Sequence, residues 1–149
     1  MFDICHMNPG SLDMAEMIAR ANFPGDKSVA ENIHAELRDP QIHYCVALVR
    51  GRVIGFAGWA PSKIDYAVAE LVWANVSAEF QGRGIGRLLT DYRLADIRAA
   101  GFKAVICSTL LPNIYRAYGF VSLGKFNLAH GRSDLMILTL TDQSSLLAS

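Results

Sequence analysis

Apolar positions recur at the spacing of a helix before residue 40 and at the spacing of strands between residues 42 and 78. Residues 12–21 predict a first helix, which Ser11 or Asp13 would cap through a side-chain oxygen. A second helix is predicted after the turn at residues 24–26, and it should end before the Asp-Pro step at residues 39–40. The apolar positions expected on their buried faces are Leu12, Met14, Ala15, Met17, Ile18 and Ala21 in the first helix and Val29, Ile33 and Leu37 in the second.

Strand signals dominate residues 42–59 and residues 67–78. The first segment is dense in β-branched and aromatic residues around Arg50-Gly51, and this pattern predicts a β-hairpin. The second segment is so apolar that we expect both of its faces to be covered, which is the property of a central strand. Helices should therefore lie on the sheet.

A third helix is predicted from residue 85, and Gly101 would end it. We expect its buried stripe to consist of Ile85, Leu88, Leu89, Tyr92, Ala95 and Ala99. The later elements are predicted as a strand at residues 103–109, a short helix at 112–118 closed by Gly119, and strands at 121–126 and 135–141. This order of elements predicts a mixed α/β sheet.

Composition and charge restrict the function classes. The 149 residues suit a single domain, and 52% hydrophobic with 19% charged residues predicts a globular core rather than a disordered chain. Lys and Arg total 14, and Asp and Glu also total 14, so there is no net charge. We therefore expect neither nucleic acid nor a membrane surface as a partner.

Cysteine and histidine usage indicates neither disulfides nor a metal site. The three cysteines are odd in number and far apart, so we expect buried free thiols in a reducing cytoplasm. The four histidines show no metal-binding spacing, and no metal is expected. The N-terminal residues lack the pattern of a signal peptide, and no apolar run reaches the roughly 18 residues of a membrane span.

Three alternating glycines, Gly82, Gly84 and Gly86, stand directly before the third helix. A strand, a glycine-rich loop and a helix start together place backbone N–H groups where an anion such as a phosphate can bind. A Walker loop would need Gly-Lys-Ser or Gly-Lys-Thr, and a dinucleotide loop would need a small residue where Leu89 stands. Both of these phosphate loops are excluded. The remaining structural alternative is a turn that only allows close packing of helix on strand.

A third kind of phosphate loop fits better. Gln81-Gly82-Arg83-Gly84-Ile85-Gly86 resembles the Q/R-x-x-G-x-G/A loop of the GNAT superfamily of N-acetyltransferases. The preceding VSAEF is similar to the family's V-x-P-x-Y lead-in, with alanine in place of proline, and YRAYGF at residues 115–120 is similar to its second signature, Y-x-x-x-G-F. The resemblance implies one GNAT domain over residues 1–149, with about six to seven strands, about four helices and splayed central strands.

The resemblance also implies the cofactor, acetyl-coenzyme A, and the residues that bind it. The pyrophosphate would be held by Gln81, Gly82, Arg83, Gly84, Ile85, Gly86 and Arg87. Asn75 and Val76 would line the pantetheine arm, and the amide of Ala74 would bond the acetyl carbonyl oxygen. An amide placed at a developing oxyanion can lower a barrier by about 2.7–4 kcal/mol. Arg83 has an alternative role in a surface ion pair.

Two side chains are candidates for proton transfer. Glu70 lies in an apolar setting where burial would raise its pKa, so it is the candidate base for an acceptor amine, unless it simply faces water at the strand's end. Asp65 and Tyr66 are weaker candidates. The resemblance implies that Tyr115 is the acid for the leaving thiolate. Tyr118 is the alternative, since one of the two tyrosines is expected only to pack.

The predicted function is direct transfer of the acetyl group to a primary amine, of a small molecule or a protein, in a ternary complex. The alternatives are a catalytically silent coenzyme A binding module, which acts as a sensor or protein partner, and an enzyme for a longer acyl group. An acyl-carrying role of Cys107 lacks a partnering histidine. The resemblance also implies that the acceptor is selected by residues 22–28, with Asp26, and by residues 127–134, with Arg132. Ordinary solvated turns are the alternative for both segments. A homodimer through the last strands is possible by resemblance.

Overall fold

Four helices and seven strands make up residues 1–140, the part of the chain that the computed structural model describes. In chain order they are β1 (Asp3–His6), α1 (Leu12–Asn22), α2 (Lys27–Leu37), β2 (His43–Val49), β3 (Arg52–Pro61), β4 (Val68–Val76), α3 (Ile85–Ala99), β5 (Ala104–Thr109), α4 (Pro112–Arg116), β6 (Val121–Leu128) and β7 (Gly131–Thr139). The strands form one mixed sheet in the order β1-β2-β3-β4-β5-β7-β6. The predicted α/β fold is confirmed, and the predicted strand end at residue 141 lies outside the described residues.

The chain falls into two compact units, which are described separately. The first comprises Met1–Ala60 and Leu71–Asp96, and the second comprises Pro61–Glu70 and the described residues from Ile97 onward. The first unit therefore contains β1 to β3, α1, α2, the later part of β4 and most of α3. The second contains the start of β4 together with β5, α4, β6 and β7.

In the first unit, α1 and α2 bury small and branched side chains rather than methionines. Ala15 and Ala19 of α1 are fully buried with the predicted residues of α2, whereas Met14 and Met17 are 37% and 70% exposed. The prediction for the methionines is wrong because alanines let α1 approach α2 closely. The predicted cap of α1 is also wrong, since the Ser11 hydroxyl donates to Asn8 Oδ1 instead of accepting from the helix.

The predicted hairpin is confirmed as β2 and β3. Arg50 and Gly51 have φ angles of 49° and 76°, the left-handed values that a tight two-residue turn requires. β1 was not predicted as a strand, since its four residues show no apolar alternation and most are exposed. It pairs antiparallel with β2, from Asp3 opposite Leu48 to His6 opposite Cys45.

The buried stripe of α3 differs from the predicted one. Ile85 and Leu89 are buried as predicted, but Leu88 is 40% exposed, and Ala95 and Ala99 are also exposed. The stripe continues every four residues through Arg93 and Ile97 instead. The sequence pattern concealed this because Arg93 is charged, yet its guanidinium is buried and donates to Gly58 O at 3.1 Å and to Thr90 Oγ1 at 3.0 Å.

In the second unit, β4 pairs with β5 in parallel over three positions, from Val68 opposite Ala104 to Glu70 opposite Ile106. This short ladder is consistent with the expected splay of the central strands. The expectation that both faces of β4 are covered is wrong, because only Ala69 and Asn75 of β4 are buried. The apolar sequence of β4 therefore does not mean that the strand is buried on both faces, since part of its surface stays accessible.

The segment predicted as a loop at residues 127–134 is the closed end of a hairpin. β6 runs to Leu128 and β7 begins at Gly131, and these two residues lie opposite each other across a two-residue turn. Gly131 has a φ of 113°, which only glycine adopts readily. β7 therefore begins four residues before the predicted start, because the pairing of β6 with β7 continues up to the turn.

Candidate functional site

The glycine loop leads from β4 into α3 and exposes backbone N–H groups. Gly82 and Gly84 have φ angles of 78° and 82°, and the first helical bond of α3 runs from Leu88 N–H to Gly84 O at 3.2 Å. The N–H groups of residues 85–87 have no carbonyl ahead of them within the helix, and Gly84 has no side chain to cap them. These donors and the positive end of the α3 dipole make a site for an anion.

The open space around the three glycines shows that close packing does not explain why glycine stands at these positions. A Cβ atom built at Gly82, Gly84 or Gly86 would meet nothing within 4 Å in the described part of the chain. Gly82 and Gly84 are required for their left-handed φ angles, whereas Gly86 has neither that conformation nor a close neighbour. Open space over backbone donors fits the pyrophosphate of acetyl-coenzyme A.

Side chains of the first unit hold the end of β4 against the loop. Val76 O accepts a hydrogen bond from Gln81 Nε2 at 3.0 Å and another from Asn22 Nδ2 at 2.9 Å. Asn22 Nδ2 also donates to the side chain of the buried Asn75, so that amide oxygen is occupied within the protein. Asn22 was not predicted in this role, and a lone asparagine at a helix end gives no sequence signal for it.

Arg83 stacks over a ring and forms no ion pair with the residues that the structure describes. Its guanidinium carbon lies 5.1 Å from the centre of the Phe80 ring, which is cation–π geometry. The ion pair beside it is formed by Arg52 and Glu79, with 2.6 Å between Nη2 and Oε1. The charge of Arg83 therefore remains available to an anion at the loop.

The backbone of β4 is distorted next to Ala74. Trp73 has a φ of 41°, a left-handed value that a bulky residue adopts only when its surroundings impose it. The Trp73 indole N–H donates to Glu36 Oε2 at 2.7 Å, which fixes the ring on α2. Ala74, the following residue, is exposed. The distortion was not predicted because neither tryptophan nor alanine is a residue type that indicates a positive φ.

Glu70 lies in the second unit on a half-buried part of the sheet. Burial raises the pKa of its carboxyl above the usual value, and the positive charge of Lys63 partly opposes this rise. No side chain in residues 1–140 donates a hydrogen bond or forms an ion pair with it. A half-buried carboxylate with a raised pKa and no donor among these residues has properties that suit a proton acceptor.

The other predicted proton-transfer groups differ in burial and in hydrogen bonding. Tyr115 on α4 is half-buried, and its ring lies edge-on to Phe120 with 5.5 Å between ring centres. Its hydroxyl makes no hydrogen bond to the described residues. Asp65 Oδ1 accepts from the Ala67 N–H at 2.8 Å, so this carboxylate stabilises a turn, and Tyr66 is fully exposed.

Of the two residues expected to select the acceptor, one caps a helix and the other lies in a strand. Asp26 caps α2 by accepting from the Val29 N–H at 3.1 Å, which argues against a free carboxylate for an ammonium group. Arg132 is an exposed residue of β7. The two regions named for acceptor selection are therefore a helix cap and a hairpin.

The cysteines and histidines form no metal site. Cys45 and Cys107 are buried as predicted, but Cys5 on β1 is exposed. Burial raises the pKa of the Cys45 thiol to about 11, which keeps it protonated and unreactive at neutral pH. No cluster of metal-ligating side chains is found in residues 1–140. Over the same residues, every helix is too short or too polar to cross a membrane.

Solved structures share this fold at low sequence identity. A protein from Desulfovibrio desulfuricans assigned to the GNAT family superimposes with a TM-score of 0.83 at 16% identity, over 95% of this chain and 100% of that one. The aminoglycoside 6′-N-acetyltransferase of Enterococcus faecium gives 0.78 at 18% identity, over 95% and 98%. A GNAT acetyltransferase from Brucella melitensis, in complex with acetyl-CoA, gives 0.76 at 21% identity, over 95% and 90%.

Family comparison supplies the stronger finding. The model of the acetyltransferase (GNAT) domain matches residues 40–122, from the turn before β2 through α3 and α4 into β6. No match was found among the curated proteins. The matched range includes the glycine loop, Glu70 and Tyr115, and it covers more than half of the chain. The cofactor class predicted from the glycine loop agrees with the acetyl-CoA in the Brucella protein. The chain belongs to the GNAT family of acetyltransferases.

Proposed function

We propose that the chain acts as one N-acetyltransferase, which transfers the acetyl group of acetyl-coenzyme A directly to a primary amine in a ternary complex. The observation that carries this proposal is the cluster of N–H donors at the start of α3, with open space over Gly82, Gly84 and Gly86. Family membership supports the class of reaction. The complexes of related structures with coenzyme A or acetyl-CoA support the cofactor.

The residues assigned to the cofactor act mainly through the backbone. N–H groups of residues 82–87 would hold the pyrophosphate, with Arg83 and Arg87 adding positive charge. Gln81 positions the loop through its bond to Val76 O. The backbone of residues 74–76 would bind the pantetheine arm as an added strand would. Acetyl-coenzyme A, when bound, supplies the acetyl group as a thioester.

The proposed chemistry assigns one step to each remaining residue. Glu70, or a water that it orders, accepts the proton of the acceptor ammonium, so that the amine nitrogen can form its bond to the acetyl carbon. The Ala74 N–H stabilises the negative charge that develops on the carbonyl oxygen. Tyr115 gives a proton to the sulfur as the carbon–sulfur bond breaks. A cytoplasmic location is part of this proposal and is supported by the three cysteines, none of which forms a disulfide in the described residues.

A glycine substitution in the loop tests the cofactor assignment. Gly84→Glu places a carboxylate in the space over the N–H groups, and we expect it to abolish coenzyme A binding. Gly51→Glu is the matched control, because Gly51 has a similar φ of 76° and also no neighbour within 4 Å. Both variants carry the same backbone strain, about 1–2 kcal/mol for a non-glycine residue, so only the loop variant should lose the ligand.

The measurement is a thermal melt with acetyl-coenzyme A, NADH and ATP in separate wells, followed by calorimetric titration of coenzyme A. Ligand at about 100 times its dissociation constant stabilises a protein by roughly 2.7 kcal/mol, enough to move the midpoint by several degrees. Unchanged affinity in Gly84→Glu would refute the pyrophosphate assignment. Binding without thiol release for any amine would favour the silent coenzyme A binding module instead.

A further inference from the structure

The sheet of the second unit has one buried face and one accessible face. Register places Glu70 of β4, Ile106 of β5, Ile137 of β7 and Val121 of β6 side by side in one row. Alternation along the strands adds Leu135 and Phe126 to the same side. We call these six residues the Glu70 face. The opposite side carries Ala69, Val105, Cys107, Met136 and Leu138, all of them buried.

The accessible side is apolar. Val121 is 64% exposed and Phe126 is 45% exposed, while Ile106, Leu135 and Ile137 are half-buried. Apolar side chains that remain accessible across several neighbouring strands commonly mark a binding surface. Such a surface binds an apolar body, because burial of each methylene contributes favourably to association.

A single charge lies within this apolar surface. Among the strand residues on this side of the described second unit, Glu70 is the only charged one. The positive charge of Lys63, in the turn before β4, acts on it. The other carboxylate of these strands, Asp134, is on the buried side and is bonded to Lys125 and Ser122. The surface therefore offers one negative charge, enough for one ammonium group.

We propose that the acceptor is a primary monoamine with an apolar body, whose ammonium group meets Glu70 while its body packs on the Glu70 face. This inference rests on the proposed N-acetyltransferase function. A polycationic acceptor would need several carboxylates to replace the water around its additional ammonium groups, and the Glu70 face has only one. The chain therefore differs in acceptor class from its structural neighbour that acts on aminoglycosides.

The test compares two amines of equal length. Hexylamine and 1,5-diaminopentane differ at one end only, where a methyl group replaces a second ammonium group. We measure kcat/KM from thiol release with saturating acetyl-coenzyme A, and we expect hexylamine to exceed the diamine by about tenfold or more. In the series from propylamine to hexylamine, kcat/KM should rise roughly fourfold for each methylene that is buried. Kanamycin, as a polycationic amine, should be the poorest acceptor.

Two aspartate variants on β6 test whether the preference for a monoamine arises at the Glu70 face. Val121→Asp adds a negative charge to the row that contains Glu70, and it should lower kcat/KM for hexylamine while raising it for the diamine. Asn127→Asp adds the same charge to an exposed position of β6 that points to the opposite side. This control should leave the ratio of the two amines unchanged. Thermal melts with acetyl-coenzyme A show whether both variants fold and bind the cofactor.

The possible results separate this inference from the function on which it rests. A diamine or kanamycin that is acetylated as well as hexylamine overturns the monoamine assignment and leaves the enzyme intact. Equal ratios in the two aspartate variants overturn the placement on the Glu70 face. A dimer that Val121→Asp dissociates in sedimentation, with hexylamine not competing, would mean that a second copy covers this face. Cofactor binding without thiol release for any amine would overturn the proposed function itself.

Discussion

Two carboxylates of the second unit, Glu70 and Asp134, have opposite acid–base properties. Asp134 accepts hydrogen bonds from Lys125 Nζ at 2.6 Å and from Ser122 Oγ at 2.8 Å, and its pKa is lowered, first of all by the bond from Lys125. Glu70 has no donor among the described residues, and burial raises its pKa. The two residues lie on opposite sides of the same sheet.

The difference shows how to separate structural from chemical carboxylates. A carboxylate surrounded by donors is held in its charged form, and its bonds fix the elements around it. Asp134 connects β6 to β7 in this way. A carboxylate without donors in an apolar setting holds protons more readily and can exchange them with a substrate. Glu70 therefore qualifies for chemistry although it is less buried than Asp134.

The largest expected effect is on the rate of transfer when Glu70 loses its charge. Glu70→Gln should lower kcat/KM for an amine by roughly 10²–10⁴-fold near neutral pH, the range for loss of a general base. The deficit should be smallest at high pH, where the amine is deprotonated without help, and it should grow toward neutral pH. Thiol release measured across this pH range with one amine checks the prediction.

A matched control for that experiment is Asp65→Asn, which removes a nearby carboxylate that serves a turn. Its pH profile should keep the shape of the wild-type profile. A loss of the same size at every pH in Glu70→Gln would contradict the assignment of Glu70 as a base. It would also remove the distinction drawn between Glu70 and Asp134.

Backbone conformation is the part of the candidate site that the sequence predicted well. The glycine pattern predicted a loop that presents backbone N–H groups ahead of a helix, and the structure adds that Gly82 and Gly84 have left-handed φ angles. The turn at Arg50-Gly51 and the helix end at Gly101 were also predicted from the positions of glycines. Glycine restricts the local conformations so strongly that its position carries structural information without knowledge of distant contacts.

Features that depend on distant contacts were not predicted. The buried Arg93 concealed the true stripe of α3. Trp73 has a left-handed φ, and its indole N–H donates to Glu36 of another element. Asp134 was grouped with an acceptor loop because its bonds to Ser122 and Lys125 exist only once β6 and β7 pair. Tertiary structure determines which partner a side chain meets and therefore what that side chain does.

An intermediate effect is expected on stability when Asp134 loses its charge. A lowered pKa in the folded state means that the ionised carboxylate stabilises the fold above the unfolded pKa of about 3.9, and that this contribution is lost as the pH falls through the folded pKa. Asp134→Asn should therefore melt a few degrees below wild type at pH 7. The difference should disappear at pH values below the folded pKa.

Thermal melts of both proteins from pH 7 down to the acid range measure this difference. Glu79→Gln is the control, since Glu79 and its partner Arg52 are both 57% exposed and such surface pairs contribute little. A midpoint difference for Asp134→Asn that stays constant with pH would show that the lost bonds, rather than the charge, matter. Transfer activity per folded molecule should remain close to wild type, in contrast to Glu70→Gln.

The smallest expected effect comes from Lys63, whose positive charge lowers the pKa of Glu70. Because this charge lowers the pKa of Glu70, Lys63→Met should let burial raise that pKa further. Glu70 is in its proton-accepting form only above its pKa, so the acid limb of the kcat/KM profile should move to higher pH. Added salt should move the wild-type profile in the same direction, because the two groups interact partly through solvent. Lys103→Met is the control, and an equal shift in both variants would show that net charge, not the proximity of Lys63, sets the pKa of Glu70.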